Sequence, residues 1–129
     1  MLEPPAVLDS CQVLLYAAPN DSVKYSGSPV VFHDGRAVDP AERLVVALNL
    51  FEGDFLLCRC TEEWEVLGVS GHATLSEARE SAERTYRGIS AQWLSFRELT
   101  SEERAEVEEV RAEAERVRHE GSIGGASEV

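Results

Sequence analysis

Two Thr-x-x-Glu tetrads, Thr74-Leu75-Ser76-Glu77 and Thr100-Ser101-Glu102-Glu103, constrain the fold more than any other feature of this chain. At that spacing the threonine hydroxyl accepts from an N–H of a first helical turn while the glutamate reaches back, so each tetrad marks a helix start. Behind the first, Leu75, Ala78, Ala82 and Tyr86 recur at helical spacing until Gly88. Behind the second, Val107, Val110, Ala114 and Val117 form a thin apolar seam in a charged helix reaching about His119. Upstream lie short apolar runs bounded by turn residues, the pattern of strands. The expectation is an α+β fold: a small, mainly antiparallel sheet packed by two or three helices, with a charged C-terminal helix.

The strand readings follow from side-chain type and punctuation. Cys11-Gln12-Val13-Leu14-Leu15-Tyr16 reads as a strand that Pro19-Asn20-Asp21-Ser22 ends. Runs 29–33 and 36–38 flank Asp34-Gly35, a two-residue hairpin turn that tolerates positive φ. Phe55 to Cys60 and Trp64 to Val69 read as antiparallel strands joined through Thr61-Glu62-Glu63. Ile89, Trp93, Leu94 and Phe96 form an apolar connection that packs on the sheet or completes it as an edge strand.

Between residues 40 and 52 the signals compete. Asp39-Pro40-Ala41-Glu42 resembles a helix entrance, Leu44, Ala47, Leu48 and Phe51 share a helical face, and Gly53 suits a left-handed helix end. The β-branched pair Val45-Val46 argues instead for strand. Helix is the leading expectation here. Residues 1–120 are expected to form one α+β domain, and the Gly/Ser-rich residues 121–129 a disordered tail.

A net charge of −12 repels phosphate and anionic lipid, which argues against nucleic-acid and membrane partners and for a cationic protein partner. No apolar run is long enough to span a bilayer, so a cytoplasmic location is expected. Lys24 is the only lysine beside many arginines, a bias pointing to a GC-rich bacterial genome. Cys11, Cys58 and Cys60 are odd in number and expected to be reduced and partly buried. The Cys58-x-Cys60 pair shares one strand face but lacks the further ligands of a structural zinc site, so neither metal nor cofactor is expected.

Gly68-Val69-Ser70-Gly71-His72 lacks the second glycine of a nucleophile elbow, and no phosphate-binding loop or dinucleotide fingerprint occurs. No catalytic residue is therefore assigned. An enzyme using Cys58 or His72 stands as a third reading, behind a homo-oligomeric structural or adaptor module that dimerises through the C-terminal helix. The leading reading is an acidic binding protein. Its candidate contact residues are Glu52, Asp54, Glu62, Glu63 and Glu65, fixed near the ends of the 55–69 hairpin. The C-terminal glutamates are set aside, because interspersed arginines neutralise them locally.

From Gly53 onward, the series Phe55-Leu56-Leu57-Cys58, Trp64-Glu65-Val66-Leu67, His72 to Ala78, Ala82-Glu83, Tyr86 and Trp93 resembles small bacterial proteins of polymorphic toxin systems. The resemblance implies an immunity-protein role: binding a cognate toxin and occluding its active or substrate-binding surface, with no cofactor and no turnover.

Overall fold

A computed structural model of the chain describes residues 3–26, 32–33, 36–37 and 40–127. In chain order its strands are β1 (Val7–Leu8), β2 (Cys11–Ala17), β3 (Lys24–Tyr25), β4 (Phe32–His33), β5 (Arg36–Ala37), β6 (Arg43–Asn49), β7 (Phe55–Cys60) and β8 (Val66–His72). Helix α1 (Leu75–Thr85), β9 (Tyr86–Arg87), a 3-10 turn at Ile89–Ala91, β10 (Leu94–Ser95) and helix α2 (Ser101–Ser127) follow. The main sheet is antiparallel in the order β1-β2-β6-β7-β8, and β10 pairs with the far end of β2. This is the α+β architecture expected, with the apolar connection completing the sheet edge.

Residues 43–49 form the central strand β6, not a helix. Leu44, Val45, Val46 and Ala47 are all fully buried, and their side chains alternate between two cores. Leu44 and Val46 join Ala17, Leu57, Ala78, Ala82, Tyr86 and Ile89 on the face that carries α1. Val45 and Ala47 join Cys11, Val13, Cys58, Cys60 and Trp64 on the opposite face. A strand buried on both faces reads as a continuous apolar run without period-two alternation, which is why helical spacing can be found in it. The expected helix entrance has another use: the Ala41 N–H donates to the buried Tyr86 hydroxyl at 2.8 Å. Asp39 lies outside the described residues. Gly53 does adopt positive φ, +81°, but in the turn between β6 and β7.

Two irregularities bend the sheet. Leu14 is the extra residue where β2 shifts register on β6, and Leu67 is the extra residue where β8 shifts on β7. Each such bulge increases local twist and curls the strand. Asp9 and Ser10, both at positive φ, make the tight turn between β1 and β2, whose Leu8 and Cys11 pair directly. The β4–β5 pairing of His33 with Arg36 matches the expected two-residue hairpin, while Asp34 and Gly35 themselves lie outside the described residues.

Both helices begin where the tetrads place them. The Glu77 N–H donates to the Thr74 hydroxyl at 3.1 Å, and the Glu77 carboxylate accepts from the Ala73 N–H at 3.1 Å. At α2 the box is reciprocal: the Glu103 N–H donates to the Thr100 hydroxyl at 3.1 Å, and the Thr100 N–H to the Glu103 carboxylate at 2.8 Å. Glu103 also holds Arg97 through two bonds of 2.7 and 2.8 Å, and Arg97 reaches Glu3 at 2.9 Å. These bonds, first those from Arg97, hold the Glu103 carboxyl at about 2. Thr100→Ala is expected to destabilise the domain by about 1 kcal/mol through the lost cap. Paired urea melts against wild type measure it, and coincident curves would show that α2 does not depend on this cap.

Helix α1 ends at Thr85, before Gly88. The Glu83 carboxylate accepts from the N–H groups of Gly88 and Ser90, which lowers its pKa and closes the turn. Helix α2 continues beyond the expected end near His119 to Ser127, so residues 121–127, expected as tail, are helical backbone. No proline interrupts the run, and each added residue closes one more backbone hydrogen bond. Val107 and Ala114 of its seam are buried and Val110 half-buried, but Val117 is 45% exposed.

Candidate functional site

The loop between β7 and β8 is organised by Thr61 and Trp64. The Thr61 N–H donates to the Glu65 carbonyl and the Trp64 N–H to the Thr61 carbonyl, both at 2.9 Å. The buried Thr61 hydroxyl accepts from the N–H groups of Glu63 and Glu65 at 3.3 and 3.1 Å. Trp64 adopts φ +68°, a conformation that costs a non-glycine residue roughly 1–3 kcal/mol and persists only where packing demands it. Packing holds it there: the residue is 6% exposed, and its ring meets Tyr16 edge-on at 5.8 Å and lies under the Arg43 guanidinium at 5.9 Å. With Trp64 turned inward, Glu62, Glu63 and Glu65 are turned outward, all exposed. Among the described residues none of the three is in an ion pair.

The five candidate binding residues do not form one patch. Glu52 and Asp54 sit in the turn before β7, and the other three sit after it. Six strand residues at about 3.4 Å each separate the two groups by about 20 Å. Glu52 is exposed, but Asp54 is only partly so, and its Oδ1 is buried with no hydrogen-bond partner. Its Oδ2 lies 3.0 Å from where a Cβ on Gly71 would stand, so glycine leaves the space that this carboxylate occupies.

The enzyme reading meets a geometric obstacle. Cys58 pairs with Val69 and Phe55 with His72 across β7 and β8, so the Cys58 and His72 side chains project from opposite faces of the sheet. Burial pushes both the Cys58 and the Cys60 thiol up to about 12, which keeps them protonated and poor nucleophiles at neutral pH. All three cysteines are free and buried. Ser70 and His72 share a face and a 2.9 Å hydrogen bond, but among the described residues no carboxylate orients the imidazole. A nucleophile and base without that third group are an incomplete triad. Among the described residues no group of His, Cys, Asp and Glu is placed to hold a metal ion. No helix among them is long and apolar enough to cross a membrane.

Helix α2 carries a feature that the sequence reading set aside. The charges that line its two grooves differ by flank: at about 100° per residue, Glu106, Glu109 and Glu113 fall on one side of the Val107–Val110–Ala114 seam and Arg111 and Arg118 on the other, although Arg116 stands beside the first group and Glu108 and Glu115 beside the second. Two grooves run along these flanks and Phe51 lines both. The glutamates line a groove of about 360 Å³ with Ser10 and Val110, and the arginines line one of about 210 Å³ along residues 48–53. The arginines therefore do not neutralise the groove-lining acids uniformly. The flanks are legible on a helical projection, but Phe51 beneath them is not.

No protein-family model, curated protein or solved structure matches the chain.

Proposed function

We propose that this chain is an acidic binding protein that occludes a basic surface on a protein partner. A toxin is the partner class that the sequence resemblance implies, and an immunity protein is the corresponding role. One observation carries the reading: three exposed carboxylates, in no ion pair among the described residues, project from a loop whose backbone is fixed by Thr61 and a buried tryptophan. A backbone already held in place loses little further conformational entropy when a partner docks, and a field of net charge −12 speeds the approach of a cation. Occlusion then requires no turnover.

Capture from a lysate of the native host, followed by association kinetics, tests the reading. The expected partner is basic, and wild-type protein inhibits its activity. Glu62→Lys with Glu63→Lys is expected to slow association about tenfold at low salt while dissociation changes much less, because exposed charges act mainly on encounter. An acidic partner, or association at the wild-type rate, would overturn the proposal.

A further inference from the structure

We infer that the acidic groove beside α2 is a second docking site, and that its occupant is an arginine or lysine side chain of a protein partner. The groove has a shape and a polarity, and the two agree. Half-buried Phe51 and Val110 supply an apolar floor, and Glu106, Glu109 and Glu113 supply carboxylates along one flank. A long basic side chain matches both, with its methylene stem against apolar surface and its cationic head among the acids. Glu106 and Glu109 are in no ion pair among the described residues, while Glu113 pairs with Arg116. Arg111 and Arg118 line the other groove, and Arg116, which stands on the acidic flank, pairs with Glu113 and is not among the residues lining this groove. A cavity of about 360 Å³ lies at the lower end of the range for small-molecule sites and accommodates one such side chain with its neighbour. The site lies at the Phe51 end of β7, away from the Thr61–Glu65 loop, and rests on the same reading of a cationic partner.

The probe is the blocked dipeptide acetyl-Leu-Arg-amide, titrated into the full chain and followed by amide chemical shifts. Saturable shifts are expected at Ser10, Phe51, Glu106, Glu109 and Val110. Glu106→Gln with Glu109→Gln is expected to weaken binding roughly fivefold, as two partly exposed charge pairs would, whereas Glu62→Gln with Glu63→Gln leaves it unchanged. The citrulline analogue, equal in shape but uncharged, is expected not to bind. Shifts spread without saturation over all exposed carboxylates, equal binding of the citrulline peptide, or indifference to the groove substitutions would each overturn the inference. So would a concentration-dependent mass accompanied by the same shifts without peptide, since the occupant would then be a second copy of the chain. Loss of the partner's slowed association with the loop variants, alongside intact peptide binding, would remove the loop proposal and leave this one standing.

Discussion

Trp64→Ala is expected to remove about 3–5 kcal/mol of folding stability, the range for deleting a buried tryptophan, from a domain whose total is about 5–15 kcal/mol. Trp64 is 6% exposed, and its indole packs in the second core against Tyr16. Its loss opens a cavity in the second core beside Tyr16 and Arg43 and releases the loop that holds Glu62, Glu63 and Glu65 outward. A companion variant separates packing from backbone strain. At φ +68° alanine keeps the steric cost that glycine avoids. Trp64→Gly is therefore expected to be at least as stable as Trp64→Ala, although glycine normally costs about 0.5–1 kcal/mol relative to alanine in regular structure. Urea unfolding of the three proteins decides both points. A loss below about 1 kcal/mol for alanine would mean that the ring is not an anchor, and a glycine variant clearly weaker than alanine would refute the left-handed loop.

The elements that local chemistry writes were legible in the sequence. Both helix starts follow from capping boxes, β2 and β7 follow from apolar runs with turn residues at their ends, and the His33–Arg36 hairpin follows from its two-residue spacing. Strand β8 was legible only in its middle: Trp64 belongs to the loop, the strand starts at Val66, and it runs on to His72, past the expected end at Val69. The failures came where one segment's state depends on others. Residues 43–49 are strand because β2, β7 and two cores enclose them, and that enclosure removes the alternation that would have announced a strand. Pairs of two residues, such as β3 with β9, are too short for any period. The Arg97–Glu3 contact joins residues 94 apart, and no local pattern signals it.

The candidate site divides along the same line. Exposed loop glutamates could be named from the hairpin alone, but separating Glu52 from Glu62 required a known strand length, and the half-buried Asp54 required Gly71 opposite Leu56. The α2 glutamates were discounted because a linear reading counts neighbouring arginines, whereas a helix placed on Phe51 sorts them into separate grooves.

Raising the pH from 8 to about 10.5 is expected to destabilise the fold by about 4 kcal/mol through Cys58 and Cys60. Each thiol has an ordinary value of 9.0 and is pushed by burial to about 12 in the folded chain. Below pH 9 both folded and unfolded chains keep these protons, and the stability is fully present. Between 9 and 12 the unfolded chain releases them while the folded chain retains them, so stability falls as pH rises. The slope is about 1.4 kcal/mol per pH unit for each thiol, or about 2 kcal/mol apiece at 10.5. Cys11 is raised as well, first by burial and then by Asp9 and Asp54, and adds in the same direction. Urea melts at several pH values on wild type and on a Cys58→Ala, Cys60→Ala double variant isolate the effect. All other groups are common to both proteins and cancel in the comparison. The double variant starts from lower stability at pH 8, because two buried side chains are shortened, yet its stability is expected to decline much less with pH. Parallel declines would show that the two thiols ionise as readily in the folded sheet as in the unfolded chain, which would return Cys58 to consideration as a nucleophile.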